Sequence, residues 1–308
     1  MSLKLPVTSE MLQEFIDDFL NHFLKSKSLE TKGTYRRALR EFQRFCAGLT
    51  EPLQFQESEI EAYKQYLIQT RGLSEVSIST YLTALRRLME YLISIGVITE
   101  NPARQIKASR PSSKPVISYL TEPEVQKLLL IVPTLKVQDR RDRLMIRLMI
   151  EAGLTENELA KSLIGDLKKF STHYVLFLKS NNRRSKEETA DISIDLGLEL
   201  EEYLELRKSS EPESPLFASH SHRVSEATLT TRAIRYRIDH WLKVAGLNRE
   251  GITPHSLRHT AAYLWIHRDK LSLPEVQRRL RHGMLSTTKN YYKFDDLSAT
   301  SPSDNPSS

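Results

Sequence analysis

Apolar residues recur at helical spacing through the first third of the chain. Met11, Phe15, Phe19, Phe23 and Leu24 keep a period of three to four residues; so do Tyr35, Leu39, Phe42 and Phe45, and then Ile60, Tyr63 and Leu67. The pattern predicts about four or five helices over residues 9–108. The longest spans 77–95, with Tyr81, Leu85, Leu88, Tyr91 and Leu92 facing inward. Gly96 stops it, and Asn101-Pro102 follows as an exit signal. Because these aromatics hold the helical period, they read as core and not as platforms for stacked bases.

The period lapses over residues 109–118, where two prolines and a basic balance mark a linker. Thr121-Glu122-Pro123-Glu124 is a capping box with proline in the first turn, and opens a second domain over 119–297. Val125, Leu128 and Leu129 share a face of the helix that follows. Another helix covers 143–151, and Gly153 ends it. Residues 174–178 and 190–194 are strand candidates joined through Asn181, Asn182, Arg183 and Arg184, a β-hairpin with a basic tip. Helices resume at 196–207, at 228–245 and from Pro254. Ser272 to Glu275 is a second capping box, whose helix ends at Gly283. Serine and proline over 298–308 predict a disordered tail. The expected fold is mainly α: a helical N-terminal domain and a mixed α/β second domain. No internal repeat is visible.

Composition narrows the class. With 308 residues, 39% hydrophobic and 27% charged, the chain suits a globular protein of two domains. Its apolar runs are too short to span a bilayer, and Met1 to Glu10 lacks the pattern of a secretory signal. Cys46 is the one cysteine, so a zinc site would need histidines for its other ligands, and a reducing cytoplasm is the expected location. A net charge of +6 favours a polyanionic partner without identifying it.

The chemistry is concentrated near the C-terminus. His255 and Arg258 are three residues apart at a helix start, which puts them on one face. A guanidinium can present its fork to two phosphate oxygens and offset the charge of a pentacoordinate phosphorus. An imidazole can relay a proton near neutral pH. His282 follows Leu280-Arg281, and Tyr291 stands nine positions further, beyond Thr287-Thr288. A phenol with a pKa near about 10 attacks poorly at neutral pH and needs cations and a proton acceptor beside it.

H-x-x-R, then L-x-H, then T-T-x-x-Y resembles the tyrosine recombinase (phage integrase, Xer-like) family. Leu120 to Val125 is similar to that family's domain opening, and residues 74–87 to its DNA-facing helix. The resemblance implies a helical, SAM-like core-binding domain and a catalytic domain carrying Tyr291, Arg258, His255 and His282. It also implies a hairpin lysine as general acid: Lys179 at the end of the first strand, with Lys186 as the alternative. The reaction it implies is site-specific DNA recombination or integration, through a 3′-phosphotyrosyl link and without metal or nucleotide cofactor. Double-stranded DNA with an inverted-repeat core site is the implied partner, bound by a homotetramer, with an accessory or partner recombinase possible. With no further domain before Ser9, the chain resembles the two-domain members.

One position departs from the family. The pattern expects an arginine at Thr155, clamping the same phosphate from the other side, and keeps the supporting acid as Glu158. Arg147, Arg183 and Arg184 are candidates to fill the gap. Arg281 replaces a family glycine on a turn expected to face solvent or DNA. A catalytically dead, DNA-binding relative is the competing reading, and a type IB topoisomerase-like relaxase a third. For DNA contact, Lys32, Arg36, Arg37 and Arg40 fall near one face of a helix, and Ser77, Thr80, Arg86 and Arg87 decorate another. Arg223, Arg232, Arg235 and Arg237 suggest a second grip.

Overall fold

A computed structural model describes residues 7–27, 29–107, 118–179, 188–221 and 224–293. The chain divides into two compact units, Met1–Lys114 and Pro115–Ser308. The fold is mainly helical with small antiparallel sheets.

The first unit holds α1 (Ser9–Asp18), α2 (Leu29–Cys46), α3 (Glu57–Gln65) and α4 (Glu75–Ser94). A π-helical turn follows α1 at Phe19–Phe23 and another follows α3 at Tyr66–Thr70. The side chains of Thr8 and Ser74 cap α1 and α4. Phe19, Leu39, Phe42, Ile60, Tyr63, Leu67, Leu85 and Leu88 meet in one core. The aromatic positions are therefore packing positions, as their period predicts.

In the second unit, α5 (Glu122–Ile131) starts at the expected capping box. Next come α6 (Val137–Glu151) and the short α7 (Glu156–Lys161). Strands β1 (Leu167–Lys169), β2 (His173–Leu178) and β3 (Glu188–Ser193) form one antiparallel sheet in that order. Then come α8 (Ile194–Arg207), a second hairpin of β4 (Ala218–Ser221) and β5 (Val224–Thr228), and α9 (Thr231–Val244). The chain continues through α10 (Ser256–His267), α11 (Leu273–Arg279), α12 (Leu285–Lys289) and a 3₁₀ turn, Asn290–Lys293. Strand β1 and the β4–β5 hairpin are absent from the sequence reading. They are short and half-polar, so they give no clear alternation. The linker 109–117 and the tail 298–308 lie outside the described residues.

Helix α6 is the axis of this unit. Leu144, Met145, Leu148 and Met149 are buried on it, and α8 and α10 pack against it. Asp142, fully buried, accepts from Arg141, Arg237 (2.6 Å) and Trp241 Nε1 (2.9 Å), tying α9 to α6. At Gly197 a Cβ would stand 2.0 Å from the Tyr174 ring, so glycine there lets α8 lie directly on β2. A smaller cluster of Ala261, Ala262, Trp265, Val276, Leu280 and Tyr291 seats α11 and the Tyr291 turn on α10.

Candidate active site

Three segments converge on α10. The first is the loop from Gly153 into α7, the second is the C-terminal end of α11, and the third is the turn carrying Tyr291. Arg258, buried on α10, reaches the first two. Its Nη1 donates to the Gly153 carbonyl, its Nη2 donates to the Leu280 carbonyl, and Nη1 lies 3.5 Å from Glu158 Oε2. Burial pulls its pKa down, against the pull of Glu158. A guanidinium still keeps its charge in such a setting.

Glu158 is the carboxylate at the centre. Its Oε2 accepts from the Thr155 amide at 2.6 Å and the Thr155 hydroxyl at 3.0 Å, while the Thr155 hydroxyl accepts from the Glu158 amide. Thr155 to Glu158 is thus a third capping box, opening α7. The motif Thr155-x-x-Glu158 is local and legible in the sequence. Burial alone would raise the Glu158 carboxyl. Arg281, by charge and hydrogen bond, and then Arg258 hold it below its usual value instead.

Arg281 does not face solvent. Its side chain is 5% exposed and turns inward: Nε donates to Glu158 Oε1 at 2.8 Å, and Nη2 donates to Glu158 Oε2 at 3.1 Å and to the Gly153 carbonyl at 2.8 Å. The expectation of an outward turn is corrected by this buried carboxylate, which offers a charged group a better partner than water at the helix end. Gly153 has φ +62°, and a Cβ there would press within 2.7 Å of Trp265. The Gly153 carbonyl accepts from both arginines.

The histidines and the tyrosine form the other half. Tyr291 is buried, with its hydroxyl 2.8 Å from His259 Nδ1. Its ring lies nearly parallel to that of His282, centroids 6.0 Å apart. His282 Nδ1 is 2.9 Å from the hydroxyl of fully buried Thr288. His255 Nδ1 is 3.4 Å from Glu156 Oε2, and Glu156 also accepts from Arg235 at 2.9 Å. Burial tends to raise the Glu156 carboxyl, but the hydrogen bonds from His255, its own backbone and Arg235 carry it down to about 2. Burial first, then neighbouring cations, push both His259 and His282 down to about 4. Burial pushes the Tyr291 phenol up, against Arg258. His259 went unnoticed in the sequence, although it follows His255 by one helical turn and so shares its face.

The remaining candidates divide. Lys179 is exposed just beyond β2, and Lys186, Arg183, Arg184 and Arg223 lie outside the described residues. Arg147 is tied by Glu151 (2.6 Å), Glu199 (2.7 Å) and Asp195 (3.2 Å), so it is committed away from Glu158. Arg235 and Arg237 are held by Glu156 and Asp142, while Arg232 is exposed. In the first unit, Arg36, Arg37 and Arg40 are exposed and Lys32 half-buried. Thr80 donates to the Val76 carbonyl, Ser77 Oγ lies 3.0 Å from Ser74 Oγ, and Arg87 pairs with Glu90 at 2.7 Å. Arg86 has a structural task. It donates to the carbonyls of Ala103 and Ile106, both at 3.2 Å, while Asn101 donates back to the Arg86 carbonyl. Among the described residues no group of three or more His, Cys, Asp or Glu side chains is placed to hold a metal ion, and no helix is long and apolar enough to cross a membrane.

Comparison with known proteins identifies the family and the fold. A family model described as the phage integrase family matches residues 118–297, and one for a phage integrase SAM-like domain matches 11–108. The tyrosine recombinase XerC of Thermodesulfovibrio yellowstonii is 29% identical, covering 92% of each chain. XerD of Listeria monocytogenes is 28% identical over 91% of this chain and 94% of its own. Among solved structures, a XerH site-specific recombinase in a post-cleavage complex with palindromic difH superposes with a TM-score of 0.79 at 21% identity, covering 97% of this chain and 98% of its own. A lambda integrase dimer on a COC′ core site gives 0.68 at 18%, covering 96% and 80%.

Proposed function

The chain belongs to the phage integrase family, and from that premise we propose that it is a site-specific DNA recombinase whose nucleophile is Tyr291. In this reading the Tyr291 oxygen attacks the scissile phosphorus, and its proton passes to a histidine of the cluster. The bond from phosphorus to the 5′ oxygen breaks, Lys179 protonates that oxygen, and a 3′-phosphotyrosyl link remains. The 5′ hydroxyl of a partner strand reverses the step. Phosphodiester bonds are conserved in number, so no nucleotide cofactor is called for. Arg258, His255 and His282 offset the charge of the five-coordinate phosphorus and move protons.

One observation carries this reading: His255, Arg258, His282 and Tyr291 meet in one cluster around His259 on α10, with Arg258 and Tyr291 buried, His282 half-buried and His255 exposed at its edge. The partner is double-stranded DNA with an inverted-repeat core, bound by a tetramer in the cytoplasm. The exposed Arg36, Arg37 and Arg40 supply phosphate contacts.

The test begins with a duplex selected by the protein from a random-sequence library and nicked to trap the intermediate. Wild type should form a covalent adduct. Tyr291→Phe should form none yet bind normally, and Tyr292→Phe should keep the adduct. An adduct that survives in Tyr291→Phe would reject the assignment. Thr155 gives the binding-only reading its one argument, and binding by wild type with no adduct would favour it.

A further inference from the structure

The family pattern is short of a guanidinium at Thr155 and has one too many at Arg281. The structure puts both residues on the same carboxylate, Glu158. Arg281 also occupies a backbone position that disfavours it. The Arg281 amide donates to the Arg278 carbonyl and the His282 amide to the Gln277 carbonyl, the paired bonds that close a helix through a left-handed residue. That residue is Arg281, at φ +55°. A side chain there is less favourable than glycine, because its Cβ crowds the following carbonyl oxygen. A strained position is retained when something else compensates it.

The compensation is visible in the side chain. The Arg281 guanidinium makes a fork on Glu158 and shares the Gly153 carbonyl with Arg258, so two guanidinium groups flank one carboxylate and one carbonyl. The pair leaves net positive charge in a cluster that is largely shut off from water, where it acts strongly on an anion. Arg147, the sequence candidate for this task, is bound to three other carboxylates.

We propose that Arg281 is the second phosphate-clamping guanidinium of this site, moved from the loop before α7 to the turn after α11, so that Thr155 and Arg281 together are one relocation and not a loss. The inference rests on the recombinase reading above. The moved cation acts on the non-bridging oxygens, where the extra negative charge of the five-coordinate phosphorus gathers. The freed position 155 takes a threonine, which caps α7.

The full-length protein tests this on the selected duplex, carrying either a phosphate or a neutral methylphosphonate at the scissile position. Arg281→Gly supplies the residue best suited to φ +55° but takes the main partner from the buried Glu158 carboxylate, so melting curves accompany each cleavage rate to separate lost stability from lost chemistry. The variant should slow cleavage of the phosphate substrate by about 100- to 1,000-fold, as loss of one oxyanion contact does. On methylphosphonate, which needs less positive charge, the deficit should shrink to less than about tenfold on the same reasoning. Adding Thr155→Arg to Arg281→Gly should recover at least about tenfold of the loss. Equal deficits on both substrates, cleavage within about threefold of wild type, or a double variant no better than Arg281→Gly would each overturn the proposal. Binding gives a second readout that does not need cleavage. The wild-type affinity penalty for methylphosphonate over phosphate should shrink in Arg281→Gly, and an unchanged penalty overturns the relocation. Absence of any wild-type adduct, by contrast, counts against strand cleavage alone.

Discussion

His259 Nδ1 stands 2.8 Å from the hydroxyl of Tyr291, and both residues are largely shut away from water. Burial and neighbouring charge hold the imidazole neutral, so one ring nitrogen is free to accept, and the tautomer with its proton on Nε2 takes the phenol's hydrogen bond at Nδ1. Burial raises the pKa of the phenol, so the hydroxyl stays protonated in this arrangement.

This contact has an energetic signature. His259→Phe keeps much of the packing but removes the hydrogen bond to the buried hydroxyl, which should destabilise the second unit by about 0.5–1.5 kcal/mol. Tyr291→Phe should cost less in that background than in wild type, because the shared bond is already gone. Urea unfolding of the two single variants and the double reads the coupling. Additive losses would mean that the bond contributes nothing to the fold.

Stability should depend on pH in two separate windows. Burial, and then neighbouring charge, hold His259 and His282 down to about 4 in the folded protein, below the ordinary 6.5 of a histidine. Both stabilise the fold while neutral, so their contribution is complete above pH 6.5 and is lost as the pH falls towards 4. Glu156, held at about 2, contributes fully above its ordinary 4.5 and loses that contribution between 4.5 and 2. Thermal melting across pH 8 to 3 should fall first in the upper window. His259→Phe should flatten that fall and leave the lower one unchanged.

Arginines of the first unit should separate by function. Arg36→Ala and Arg37→Ala remove exposed cations and should lessen the salt dependence of DNA affinity, each by a slope of about one if it meets a phosphate. Arg86→Ala removes a brace on the Ala103 and Ile106 carbonyls. It should lower the melting temperature of the first unit and leave the salt slope in place. Fluorescence anisotropy at several salt concentrations, alongside melting curves, distinguishes the two effects. A slope change from Arg86→Ala without loss of stability would reassign it to DNA.

Lys179 follows β2 with its side chain exposed, and its proposed role as general acid has a chemical test. A bridging 5′-phosphorothiolate leaves without needing a proton. It should rescue cleavage by Lys179→Ala by at least about tenfold, as expected for loss of a general acid, and should not rescue Arg258→Ala. Rescue of Lys186→Ala instead would shift the general acid along the hairpin.

Local features of this protein were legible in its sequence. The periods of the first unit, the capping boxes at Thr121 and Ser272 and the spacing from His282 to Tyr291 depend on residues a few positions apart, and the helices follow them. The mainly α fold follows too, because helical period and caps are local signals. Tertiary structure decided which cation goes where. Arg86, Arg147 and Arg281 look alike in sequence, yet one braces backbone carbonyls, one is enclosed by three carboxylates and one turns in beside Arg258. Each outcome depends on at least one acceptor 17 to 128 positions away along the chain. His259 likewise becomes the partner of Tyr291 only when the turn after α12 folds back onto α10. A guanidinium or an imidazole takes the best acceptor within reach, and chain connectivity does not specify what reach contains until the core has packed.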